Sequence, residues 1–147
     1  MNRAVLILEF FEQAYRHRKE RYSDRYDTYY RFKARNGDLY HVHFDHGSGQ
    51  RLQLLTFRSE RGGYSIAGGH RADALKVFST VHRIIQRHVR DHPDLQTLTF
   101  SASEPSRVKL YRHMAKHFAT KHKEDQYWGG TKFSINRSDL KDPSEYA

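Results

Sequence analysis

The 147 residues contain no cysteine, which removes disulfide frameworks, thiolate metal sites, thiol nucleophiles and iron–sulfur chemistry together. Long apolar runs are missing as well. The longest, Ala4 to Leu8 with Phe10 and Phe11 close by, falls far short of the ~20 residues a membrane-spanning helix needs, and no small-residue cleavage site follows it. No membrane partner is therefore expected, and a cytoplasmic location is. Acidic residues are outnumbered, 17 Asp and Glu against 26 Lys and Arg, so the net charge is +9 and the pI about 9.9. Such an excess attracts anions: nucleic acid, a phosphate-bearing cofactor or an acidic protein surface. The mean hydropathy of −0.93 describes a polar chain, yet 9 Phe and 10 Tyr are too many for a disordered one. One folded domain with a single core is expected.

Along the chain, Val5, Leu8, Phe11 and Tyr15 recur at helical spacing and predict an amphipathic helix over Ala4 to Tyr15, ending in the charged run Arg16 to Arg21. Two strand-like runs, Thr28 to Ala34 and Leu39 to Phe44, flank Asn36-Gly37-Asp38, a sequence suited to a tight hairpin turn. Leu52 to Phe57 and Tyr64 to Ala67 follow glycine turns and complete a predicted four-strand antiparallel meander. Ala74 to Val89 carries the most regular helical pattern, stopped near His92-Pro93. Leu95 to Phe100 reads as a strand, Pro105 to Phe118 as a helix with Val108, Leu110, Tyr111, Met114, Ala115 and Phe118 inward, and Gln126 to Ile135 as a last strand or hairpin. The fold class is α+β, a mixed and mostly antiparallel sheet of about six strands flanked by helices. Residues 1–136 form one domain and 137–147 a loose tail.

The junction Tyr64-Ser65-Ile66-Ala67-Gly68-Gly69-His70-Arg71-Ala72 has the strand, glycine, helix form that cradles phosphate, with free N–H groups at a helix start beside His70 and Arg71. Without fold context it reads first as a plain strand-to-helix turn, because glycine pairs are common turn punctuation. Neither a P-loop nor a GxGxxG fingerprint is present.

The order of four antiparallel strands, a glycine-capped helix, a strand and a helix containing Leu110-Tyr111 resembles the GNAT-type acyl-CoA N-acyltransferase superfamily over about Thr28 to Ile135. More narrowly, Gly68 to Val81 and Phe100 to Tyr111 resemble small acetyltransferase-like proteins of tailed bacteriophages. The resemblance implies acetyl-CoA as cofactor, with Ile66 and Ala67 along pantetheine and Gly68, Gly69, His70, Arg71 and Ala72 at the pyrophosphate. It implies Tyr111 as the acid that protonates the departing thiolate, a splay between the fourth and fifth strands to receive the cofactor, and an amine of a host target as acceptor. A phenol with an ordinary pKa near 10 is protonated at neutral pH and suited to that role. Asp45, Glu60 and His70 stand near the expected sheet end as candidate bases. The superfamily's pyrophosphate signature is not met in any register, and Glu104 replaces a common asparagine. Those departures motivate a second reading, a non-catalytic phage protein of the same fold that binds and inhibits a host protein in the bacterial cytoplasm.

Two further patterns call for chemistry. His41 and His43 share a strand face with Asp45, while His88/His92 and His113/His117 are four apart on helices. Without HExxH or a third ligand no metal is assigned, and solvated faces are expected. The stretch Tyr15 to Arg35 holds eight Lys and Arg and five Tyr interleaved with three acids. Cations that neutralise phosphates beside aromatics that stack on bases suit nucleic-acid binding. Tyr111 itself also reads as a core tyrosine at helical spacing.

Overall fold

The computed structural model describes residues 14–35, 37–47, 51–60 and 71–142. Seven strands form one sheet: β1 (His17–Lys19), β2 (Asp27–Lys33), β3 (Leu39–Asp45), β4 (Leu52–Ser59), β5 (Thr97–Ala102), β6 (Lys123–Tyr127) and β7 (Gly130–Asn136). Helices α1 (Arg71–Asp91) and α2 (Pro105–Phe118) precede β5 and β6. The spatial order is β1-β2-β3-β4-β5-β7-β6; β4 and β5 are parallel and every other neighbouring pair is antiparallel.

Period-two burial explains why these segments are strands. Tyr30 and Phe32 of β2, Tyr40, Val42 and Phe44 of β3, and Leu55 and Phe57 of β4 are buried, as are Leu98 and Phe100 of β5 and Phe133 and Ile135 of β7. Strand register puts them all on one side of the sheet. Both helices cover that side. Val77, Val81, Ile84 and Ile85 of α1 and Tyr111, Met114, Ala115 and Phe118 of α2 are buried in the same cluster. The predicted hairpin joins β2 to β3: Gly37 takes φ 86°, and the Ala34 N–H donates to the Asp38 carbonyl at 2.8 Å.

Several expectations change. The charged run after Tyr15 is not a helix end: His17–Lys19 pairs with β2, His17 opposite Phe32, and the Tyr15 N–H donates to Thr80 Oγ1 at 2.8 Å. The four-strand meander is therefore β1 to β4, one strand earlier than predicted. The predicted helix before Ala14 and the predicted strand Tyr64 to Ala67 lie outside the described residues. Trp128-Gly129 joins β6 to β7, with Gly129 at φ 92°. No sequence pattern marks β6, because all five of its residues, Lys-Glu-Asp-Gln-Tyr, are exposed and carry no hydrophobic alternation.

Residues 137–142, expected to be loose, are tied down. Arg137 Nη1 donates to the carbonyls of His92, Pro93 and Leu95. Leu140 bridges to Ala119, and the Lys141 N–H donates to the Phe118 carbonyl at 2.7 Å.

Candidate functional site: the opening between β4 and β5

The parallel ladder joins only Leu52, Gln53 and Leu54 to Thr97, Leu98 and Thr99. Beyond it β4 continues through Leu55–Ser59 and β5 through Phe100–Ala102 in the same direction, without a ladder between them. Each stays paired with its outer neighbour, Phe57 with Val42 and Ser59 with Tyr40 on one side, Phe100 with Phe133 and Ala102 with Thr131 on the other. Two half-sheets thus share a short seam and open past it.

A buried polar network closes the seam. Gln53 is fully buried and its Oε1 accepts from His88 Nε2 of α1 at 2.5 Å, while His88 Nδ1 faces the Tyr30 hydroxyl at 3.3 Å. The Thr99 hydroxyl donates to the Gln53 carbonyl at 3.4 Å. Buried this deeply, each of these groups needs a protein partner, and satisfying them fixes where the strands remain joined.

Backbone parity defines what lines the opening. The Arg51 carbonyl accepts from the Gln96 and Thr97 N–H groups, whereas the Glu60 N–H donates away from the gap to the Leu39 carbonyl. Odd-numbered residues of β4 therefore present N–H and C=O toward β5, and even-numbered residues toward β3. Leu55, Phe57 and Ser59 aim theirs into the opening. On β5 the same parity aims Ser101, since the Thr97 N–H points to β4 and the Gln96 carbonyl accepts from Arg137 on the other side.

The site residues inferred from sequence fall unevenly around this opening. Tyr111 stands beneath its root: the ring is 3% exposed, edge-on to Phe100 at 5.4 Å and to Phe133 at 6.4 Å. Arg71 and Ala72 begin α1. The last turns of α1 pack over Gln53 and Phe44 at the closed end, through His88. A helix rising ~1.5 Å per residue carries its first turn back to the open end. Ile66, Ala67, Gly68, Gly69 and His70 lie outside the described residues. The strand paired with β5 on this side is Leu52–Ser59; the predicted run Tyr64 to Ala67 lies outside the described residues.

Of the candidate bases, Asp45 pairs with Leu54 at the closed end and is remote from the mouth. Glu60 directly follows Ser59 at the mouth, and its Oε1 accepts from His41 Nε2 at 2.8 Å. Strand register, rather than local sequence, decides both placements.

The histidines are not uniformly solvated. His43 pairs with Asp27 at 2.7 Å and His41 with Glu60 on the sheet face opposite the helices. His88 and His82 are fully buried. Burial, then the neighbouring His92 and His46, push His88 down to about 2. Burial and His117 push His82 down to about 4. His88 lies flat between Phe44 and His92, with ring centroids 3.7 and 3.9 Å away. Among the described residues, no three His, Asp or Glu side chains converge so as to hold a metal ion. Nor is any described helix long and apolar enough to cross a membrane.

An antiparallel meander, a parallel fourth and fifth strand that part beyond a short seam, and a last strand inserted between the fifth and sixth together define a GNAT-like α+β fold. Among solved structures the chain is similar to the N-acetyltransferase PseH of Campylobacter jejuni, with a TM-score of 0.50 and 11% identity over 78% of this chain and 70% of that one. Mutant forms of the spermidine/spermine N-acetyltransferase SpeG of Vibrio cholerae also match, at TM-score 0.43 and 16% identity over 78% and 69% of the two chains. No protein-family model matches the sequence, and no curated protein matches it.

Proposed function

We propose that this protein is an acyl-CoA-dependent N-acyltransferase that takes the acetyl group of acetyl-CoA and transfers it to an amine. The observation that carries this reading is the opening between β4 and β5, lined by backbone groups that join no ladder among the described residues. The residues present fit the cofactor. Leu55, Phe57 and Ser59 offer N–H and C=O pairs every second residue, about 6.6 Å apart, which two amides of a pantetheine arm can meet as a strand would. Leu55, Phe57 and Phe100, buried in the core beneath the opening, would form its apolar floor. The start of α1, with Arg71 and Ala72, would face the phosphates through the N–H groups of its first turn. Gly68, Gly69 and His70 would approach them, and Ile66 and Ala67 would lie along the arm as the resemblance implies.

Acetyl-CoA would supply the activated acyl group; the chain's own residues would hold it and move protons. A β4 backbone N–H would polarise the acyl carbonyl. The Glu60 carboxylate fixes the His41 tautomer with the proton on Nε2, leaving Nδ1 to accept the proton of the attacking amine. Tyr111 Oη would give its proton to the departing sulfur. With no cysteine in the chain, transfer would be direct from cofactor to amine. The finer reading, a phage-encoded enzyme that would modify a host protein in the bacterial cytoplasm, rests on the resemblance of Gly68 to Val81 and Phe100 to Tyr111 to phage proteins alone.

Calorimetric titration with coenzyme A and acetyl-CoA tests the reading, with saturable binding expected. Absence of heat at millimolar ligand would overturn it. It would leave the fold as a non-catalytic module that acts by binding and inhibiting a host protein. If binding holds, Tyr111→Phe should lower kcat by about 10²-fold or more with KM little changed. An unchanged kcat would return Tyr111 to the core.

A further inference from the structure

The sheet face opposite α1 and α2 carries a pattern of which acyl transfer would use only His41. Strand register sets Arg18 opposite Arg31, Arg31 opposite His41, and His41 opposite Arg58, a row of three arginines and one imidazole across β1 to β4. Like charges directly opposed across strands destabilise a sheet. Glu20, with a side chain only 10% exposed, relieves two of them, at 2.6 Å from Arg31 and 3.4 Å from Arg18. Arg58 is exposed and has no carboxylate partner among the described residues. Arg16, Arg18, Arg31 and Lys33 also rim a depression of about 420 Å³ at the β1 edge. Along this row five cations face two carboxylates, Glu20 and Glu60, while Asp27, bonded to His43, and Asp45, opposite Asp27, lie one residue pair beyond Tyr29 and His43.

One residue pair along the strands lies a second row, aromatic rather than charged. Tyr29 and His43 stack in parallel, 4.4 Å between centroids and 4° between planes, and Tyr22, 59% exposed, leans on Tyr29 at 4.9 Å. Strand geometry separates the two rows by about 6.6 Å, the reach from a nucleotide's phosphate to its base. The cationic row crosses three strand spacings, roughly 14 Å, room for two or three phosphates of an extended strand. Among the described residues no helix packs on this face.

We infer that this face binds single-stranded nucleic acid, its phosphates on the row Arg18, Arg31, Arg58 and its bases on Tyr22, Tyr29 and His43. Charge complementarity selects an anionic polymer. The adjacent rings select one with flat π faces rather than an acidic peptide. Duplex DNA, whose bases are hidden in the stack, would engage only the cations. This inference stands apart from the acyltransferase reading and survives its failure.

Fluorescence anisotropy of a labelled 15-mer oligo(dT) at 50 mM salt tests it on the full chain. Saturable binding is expected, with a log–log salt slope near −2, since each contacted phosphate of a single strand contributes about −0.7. Tyr22→Ala and Tyr29→Ala should each weaken binding about 5- to 150-fold. The Arg18→Glu/Arg58→Glu double variant should reduce the salt slope by at least 1. Arg90→Glu makes the charge change of each single substitution in that pair at an exposed helix position and should alter affinity less than 2-fold; thermal melts confirm that each variant is folded. Absence of binding at 100 µM protein would overturn the assignment. So would duplex binding as tight as single-strand binding, polyglutamate binding in place of oligo(dT), or equal losses in Arg90→Glu and the double variant.

Discussion

Buried neutral histidines make a quantitative prediction about acid. His88 and His82 titrate near 6.5 in an unfolded chain, whereas burial holds them at about 2 and about 4 in the folded one. Between the folded and unfolded values the unfolded state binds the extra proton. Stability from these groups is therefore fully present above about pH 6.5 and is lost as pH falls below it. From pH 7 to pH 5 each histidine contributes a loss of about 2 kcal/mol, together about 4 kcal/mol. That is a large part of the ~5–15 kcal/mol typical of a domain, and corresponds to a fall of roughly 10 °C in Tm. His17, His46 and His117, also lowered chiefly by burial, act in the same direction. Carboxylates held low, such as Glu124 beside Arg112, change protonation at more acidic pH. Urea unfolding at both pH values, followed by far-UV circular dichroism, measures the loss; the lone tryptophan, Trp128, is 99% exposed and reports poorly on the core. His88→Gln keeps a donor for Gln53 and removes one titration, so its pH-dependent loss should fall by about 2 kcal/mol whatever its offset at pH 7. A wild-type loss below about 1 kcal/mol, or an identical loss in His88→Gln, would refute the reasoning.

Substitutions at two further positions probe the half-sheet of β5, β6 and β7. A Cβ on Gly130 would meet the Ala102 carbonyl oxygen at 2.6 Å and the Tyr127 hydroxyl at 3.0 Å. Because the first is backbone, Gly130→Ala should shift β7 against β5 and cost about 1–3 kcal/mol in urea unfolding; an unchanged midpoint would show that the hairpin yields freely. Arg137→Ala removes the donor shared by the carbonyls of His92, Pro93 and Leu95 and should cost about 2 kcal/mol. Arg137→Lys, lacking the fork, should recover only part of that in thermal melts, and full recovery would reduce the role to charge.

Local chemistry made much of the architecture legible. Asn36-Gly37 announced a hairpin because glycine accepts positive φ, and Gly37 adopts it. The spacing of Val77, Val81, Ile84 and Ile85 announced α1 because one face had to be buried. Alternation in Tyr30-Arg31-Phe32 and Tyr40-His41-Val42 separated inward from outward residues. What failed was segment-level reading wherever side chains carried no period: β1 lies within a run of charges and β6 is exposed at every residue.

Taken alone, the sequence determined a cysteine-free, basic α+β chain, its turns and which faces are apolar, because these follow from composition and from contacts between near neighbours. Only the tertiary structure decided that β4 and β5 run parallel and part after Leu54 and Thr99, that His88 is buried against Gln53 rather than solvated, and that Glu60 rather than Asp45 reaches the mouth. It also decided that Arg18, Arg31, His41 and Arg58 share one row. Each of these joins residues far apart in the chain, or fixes which strand is whose neighbour. Strand register is set by the packing of the whole sheet against α1 and α2, and no local propensity encodes it.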